Sequence, residues 1–256
     1  MNSGIRLALS SIAVGLALLA LSGCGSSDSV VHFKGAPHAS ISQATLNHWM
    51  GSIVGSDFRT SIAKQGPTGL VSQPADYPRC INSAKLVAPR SMFNQLRLGR
   101  TQLSRICHEL YQSIKAQALS FLIGAQWTKA EAAEERIAVT TADVAHEFAQ
   151  SRAQRFPTEA YLHKYERERQ LSLADLLYQA KLNLLVTKLL PHFQQQVKRA
   201  GGGEQAYAKL ALANYKDLLA RTNCEKRYVV PGCSEYHGPS GGPTAANVIL
   251  TELAGK

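Results

Sequence analysis

The stretch TQLSRICHELYQSIKAQALSFLIGAQWTKAEAAEERI, residues 101–137, decides the fold. Leu103, Ile106, Cys107, Leu110, Ile114, Phe121, Leu122 and Ala125 recur at the three- and four-residue spacing that stacks side chains on one helix face. At 3.6 residues per turn this is a helix of roughly nine turns. A break is expected at Val139-Thr140, where Thr140-x-x-Asp143 forms a capping-box pattern for TADVAHEFAQSRAQRF. Pro157-Thr158 opens EAYLHKYERER, and a second box, Ser172-x-x-Asp175, opens LADLLYQAKLNLLVTKLLPHFQQQVKR. In that last segment Leu173, Leu176, Leu177, Ala180, Leu184, Leu185 and Leu189 make an apolar stripe that must pack on other helices. Pro191 is expected to kink it or end its first part. Gly201-Gly202-Gly203 is a break, followed by one more helix, EQAYAKLALANYKDLLARTNC.

Upstream, Ser40 or Ser42 is placed to cap a helix from about Gln43, with Leu46, Trp49, Met50 and Ile53 on one face. Val30, Val31 and Phe33 suit a short extended segment. Between 55 and 100 the periodicity fails, and Gly66, Pro67, Gly69, Pro74, Pro78 and Pro89 predict an irregular stretch pinned by Cys80. The tail, 237–256, has only a weak apolar patch at Val248–Leu253 and is expected to be mostly disordered. The fold class is therefore all-α, with short extended pieces near the N-terminus.

The first residues give an address. Leu7 to Leu21 carry no charge, follow the single cation Arg6, and form a run short for a bilayer span. Leu21-Ser22-Gly23-Cys24 then reads as a bacterial lipobox: residues 1–23 are a signal peptide, and Cys24 becomes a lipidated N-terminus. The alternative is an ordinary signal peptide with an incidental cysteine. The polar run Gly25–Ser29 favours the lipid reading, with 24–39 as lipidated cysteine and flexible tether. The protein is then expected at the extracytoplasmic face of the cell membrane, held by acyl chains worth about 0.8 kcal/mol per buried CH₂.

This address constrains the rest. The chain has 28 Lys and Arg against 18 Asp and Glu, a formal charge of +10, yet export takes it away from nucleic acid. Anionic head groups, wall polymers or acidic client chains are the fitting partners. Beyond Cys24, four cysteines remain in an oxidising compartment. Spacing suggests Cys80–Cys107 and Cys224–Cys233, although four cysteines allow three pairings. No C-x-x-C pair supports a zinc site, and no metal or cofactor is expected.

No catalytic constellation is evident. There is no G-x-S-x-G elbow, and His108 and His146 begin H-E-x-x-H patterns that lack the second histidine. Glu131, Glu134 and Glu135 with Lys129 and Arg136 read as a charged helix face. His48-Trp49 reads as a core anchor and its rim neighbour.

The order ISQATLNHWM (41–50), a Cys-containing irregular segment, then FLIGAQW (121–127), VTTADV (139–144), SLADLLYQAKLNLL (172–185) and RTNC…YVVPGC (221–233) resembles the SurA/PrsA-type extracytoplasmic foldases. The likeness is to their N-terminal chaperone domain in its actinobacterial lipoprotein form, over most of 40–235. The resemblance implies a helical chaperone module, 40–200, completed by a C-terminal helix and disulfide loop, 204–236. In that family a parvulin prolyl-isomerase domain sits where this chain has only the linker 201–203, so no isomerase residues carry over and no catalytic residue is assigned. The implied function is a membrane-anchored chaperone that binds unfolded or newly secreted polypeptides, with Trp127, Phe148, Phe156, Tyr161 and Tyr165 as candidate client-binding residues, although plain core packing is the simpler reading of each. The alternatives are a parvulin-family prolyl isomerase and a scaffold lipoprotein for one dedicated partner.

Overall fold

The computed structural model describes residues 28–35, 39–57, 69–87 and 99–238. The leader, Cys24 and the tail beyond Gly238 lie outside the described residues. The chain is mostly helical, with one small sheet: β1 (Ser29–Phe33), β2 (Ser40–Ser42), α1 (Gln43–Asp57), α2 (Tyr77–Val87), α3 (Arg100–Glu134), α4 (Thr141–Arg155), α5 (Glu159–Arg169), α6 (Leu173–Arg199), α7 (Gly203–Ala220) and β3 (Thr222–Cys224).

The expected caps are in place. Thr140 and Ser172 each accept from the backbone N–H three residues on, and Asp143 and Asp175 return the bond. Ser42 Oγ accepts from Thr45 N–H and starts α1. Three expectations need correction. The tether expected to run through 39 gives way earlier, because Ser29–Phe33 is a strand with Val30 and Val31 buried. The irregular stretch 55–100 contains α2. Pro78 falls in its first turn, where a helix has no use for the missing N–H. And α6 runs unbroken through Pro191.

Strand β1 is central in the antiparallel order β2-β1-β3, pairing Val31 with Ile41 on one side and with Cys224 on the other. The sheet therefore ties the segment 29–42 to the segment after the last helix. Under it, α3 is the spine: α1, α2 and α6 pack on it, α4 packs on α6, and α1 also meets α5. Leu46, Met50, Ile114, Leu119 and Ile123 are the innermost side chains. Gly55 is where α1 and α5 come closest, since a Cβ there would stand 2.8 Å from the Glu168 carbonyl oxygen. The two cysteine pairs, Cys80–Cys107 and Cys224–Cys233, are joined as disulfides. The first clamps α2 to α3, and the second closes the loop after β3.

Candidate functional site

The five aromatic candidates separate. Trp127, on α3, is buried; its Nε1–H donates to Thr222 Oγ1 at 2.8 Å, and Tyr215 of α7 meets its ring edge-on at 5.9 Å. It is the pin between α3, α7 and β3. Phe156, closing α4, is also buried, with Tyr165 at 5.1 Å and Tyr161 at 6.3 Å. Phe148 and Tyr165 are half-buried against the core, and Tyr161 is 50% exposed. Phe156, Tyr161 and Tyr165 thus form one cluster at the α4–α5 corner. Arg155 lies over the Phe156 ring and Arg169 over the Tyr165 ring, leaving only Tyr161 as an open apolar face.

Two features lie outside the sequence expectations. One is a cleft of about 480 Å³ where the end of β1 meets the C-terminal half of α3 and the α7–β3 junction. Phe33, Trp127 and Leu218 make its apolar floor, and Lys34, Lys129, Glu134 and Arg221 its charged rim. Arg221 donates to Glu134 at 2.6 Å and also pairs with Asp217. The bond to Glu134 raises its already high pKa further; burial opposes it, and the bond to Asp217 adds to it. Burial, then Lys181, pushes the Lys129 ammonium down. Beside them, burial and then Glu134 push the Glu131 carboxyl up, with Arg221 opposing. The rim therefore holds an ion pair, Arg221 with Glu134, and a cation short of solvent, Lys129. The floor has room for an apolar side chain.

The second feature is the α6–α7 hairpin. Leu190, Tyr207 and Leu212 are exposed on it at 44%, 37% and 44%, and Phe193 meets Tyr207 edge-on at 5.3 Å. Leu190 and Phe193 lie on α6 past Leu185, where the buried stripe of Leu176, Ala180, Leu182 and Leu185 has ended, and Tyr207 faces Phe193 from α7. The signal lay in that stripe running out while leucines and aromatics continued. Two stripe residues also turn outward, Leu173 of α6 and Ile106 of α3, at 46% and 42%.

His108 hydrogen-bonds Tyr77 at 2.8 Å, and His146 bonds Gln150 one turn along α4. His48 reaches from α1 to Asp175 of α6 at 2.9 Å. Among the described residues no three His, Cys, Asp or Glu side chains gather as a metal site, and no helix is long and apolar enough to cross a membrane. The chain matches no family model, no curated protein and no solved structure.

Proposed function

We propose that this chain is a lipid-anchored, extracytoplasmic polypeptide-binding protein of chaperone type, holding unfolded or newly secreted chains near the membrane. The observation that carries the reading is the α6–α7 hairpin, whose exposed Leu190, Tyr207 and Leu212 lie outside the core that the sheet and α3 organise. Chaperones bind apolar side chains through adaptable apolar surfaces, and such surface on a folded monomer marks interaction sites. The joining of the N-terminal helices and the last helix through β1 and β3 is the arrangement that the SurA/PrsA resemblance implies, and it supports that likeness. The linker is also as short as it reads: α6 ends at Arg199 and α7 begins at Gly203. Gly201, Gly202 and Gly203 all have positive φ, and nothing lies within 4 Å of where their Cβ atoms would be.

The test mixes the mature chain with a denatured, aggregation-prone client and follows light scattering and a proline-limited refolding rate together. Suppressed aggregation with an unchanged proline phase is expected. An accelerated proline phase would make the protein an isomerase. No effect on either would leave a scaffold for one dedicated partner.

A further inference from the structure

If Cys24 carries the lipid, the first residue held by the fold is only four positions later. The Asp28 carbonyl accepts from Gln43 N–H at 2.7 Å, and Ser29 begins β1. Four residues reach at most about 14 Å, so the start of β1 cannot leave the head-group layer. What stands beside that strand end is then pressed on the bilayer. Beside it lies the 3₁₀ turn Lys226–Tyr228, fixed by Glu225 N–H donating to the Val30 carbonyl at 3.0 Å. The turn is held from below as well: Lys115 Nζ donates to the Arg227 carbonyl at 2.9 Å and lies over the Tyr111 and Tyr228 rings. Lys226 and Arg227 themselves are exposed, and among the described residues neither has an ion-pair partner.

The long spine fixes what else comes down. Going back along α3, Trp127 meets Thr222, which pairs with Phe33, and Lys115 meets Arg227, at the Asp28 end of β1. The first turns of α3 continue about 22 Å past Lys115, at 1.5 Å per residue. That exceeds the tether, so α3 lies inclined and its start, with α2 clamped to it, meets the same surface. This end carries Arg79, Arg100, Lys115, Lys226 and Arg227 against Asp28, Asp76 and Glu225, with Arg105 and Glu109 paired and Ile106 exposed. At the other end of α3, about 30 Å from Lys115, Glu131, Glu134 and Glu135 crowd the helix C-terminus, set among Lys129, Arg136 and Arg221, the last paired with Glu134. Glu135 there touches His192 and Gln196 of α6. The helix dipole has the same sense, positive at Arg100 and negative at Glu134.

We infer that the 3₁₀ turn Lys226–Tyr228 and the start of α3 form a membrane-contact face for anionic phospholipid head groups, which holds the α6–α7 hairpin out from the bilayer. The inference rests on the lipid-anchor reading but is tested without it. Unlipidated mature chain, residues 24–256 with Cys24→Ser, is sedimented with vesicles of phosphatidylcholine alone or mixed with phosphatidylglycerol. Binding should require phosphatidylglycerol and weaken with salt. Lys226→Gln with Arg227→Gln should lower it about 25-fold, at about fivefold per cation. Lys198→Gln with Arg199→Gln, the same charge change at the hairpin tip, should leave it within twofold; circular dichroism checks that both variants fold. Equal loss from the two pairs, no loss from the turn pair, equal binding to neutral vesicles, or no binding would each overturn the face. The mass of the N-terminal peptide from membrane fractions tests lipidation separately, so failure of one leaves the other standing.

Discussion

Trp127 offers the sharpest test of how the C-terminal segment is held. Its indole N–H donates to Thr222 Oγ1, and that hydroxyl donates in turn to the Leu218 carbonyl at 2.7 Å, in the last turn of α7. Thr222 is fully buried, so water cannot replace the lost donor. Trp127→Phe keeps most of the ring and removes the donor, at a cost of about 1–2 kcal/mol for one buried hydrogen bond and the lost ring area. Trp127→Ala also opens a cavity against Tyr215, Leu218 and the backbone at Gly232, and should cost about 3–5 kcal/mol. Thr222→Val, alone and combined with Trp127→Phe, completes a double-mutant cycle. Because the two groups touch, the coupling should be about 1 kcal/mol, whereas distant sites would add within about 0.5 kcal/mol. Urea unfolding followed by far-UV circular dichroism, with disulfides intact, reads every variant against wild type. At this size each kcal/mol also shifts Tm by about 2–4 °C. A Trp127→Ala cost below about 1 kcal/mol, or strict additivity of Trp127→Phe and Thr222→Val, would refute the claim that this pair pins α7 and β3 to the spine.

Four further outcomes follow from other contacts. Cys80→Ser with Cys107→Ser should cost about 3–4 kcal/mol and Cys224→Ser with Cys233→Ser about 2.5–3 kcal/mol on the loop-entropy model, read by the same denaturation; non-reducing peptide mapping that joined Cys80 to Cys224 would overturn the pairing. Glu131→Gln tests a carboxyl that burial pushes up. The folded protein keeps this proton to higher pH than the unfolded chain, so the native charge costs stability as pH rises through the folded value, and the Gln variant should gain on wild type as pH rises above the ordinary glutamate range. Asp175 has the opposite sign: burial raises it, but bonds from the Ser172 side chain and backbone and from His48 outweigh that and bring it down. Its stabilisation is present above the ordinary aspartate range and is lost as pH falls through the folded value, so Asp175→Asn should cost about 0.5–1.5 kcal/mol at about pH 7 and nothing in strong acid. Cys24→Ser in the full chain should abolish lipidation and release or misprocess the protein; unchanged fractionation and mass would remove the anchor from the account.

The helices were legible because each carries its own information. The apolar period of α3 and the boxes at Thr140 and Ser172 need no distant partner to be recognised. The sheet carries no such signal: β2 and β3 have three residues each, and β1 pairs with a strand nearly the whole chain away. Proline misled in both directions. At Pro78 a residue expected to break structure stands in a first turn, and α6, expected to kink or end at Pro191, carries on through it to Arg199. Two of the five candidate aromatics lie in the core, for a related reason. Trp127 and Phe156 have the composition of a binding surface, but composition cannot tell which side of a helix another helix will cover. The exposed residues, Leu190, Tyr207 and Leu212, are those whose expected partners along the stripe do not arrive.

That contrast bears on how the molecule could hold a client. Along α3 thirteen residues are buried, and along α7 only Leu218 is. The free energy for local opening follows buried apolar contact, so the hairpin is the low-stability end of the fold and the α1–α3–sheet body the high end. A surface that must meet many unfolded sequences gains from being adaptable, while one that must stay oriented on a membrane gains from being rigid. Here the rigid end carries the sheet and the disulfides and, on the proposed reading, the tether, and the loosely packed end carries the open leucines and tyrosine. Closing the chain on itself through β1 and β3 produces that division: it anchors both termini of the module in one body and leaves the α6–α7 turn, opened by three successive glycines, as the part with least to hold it.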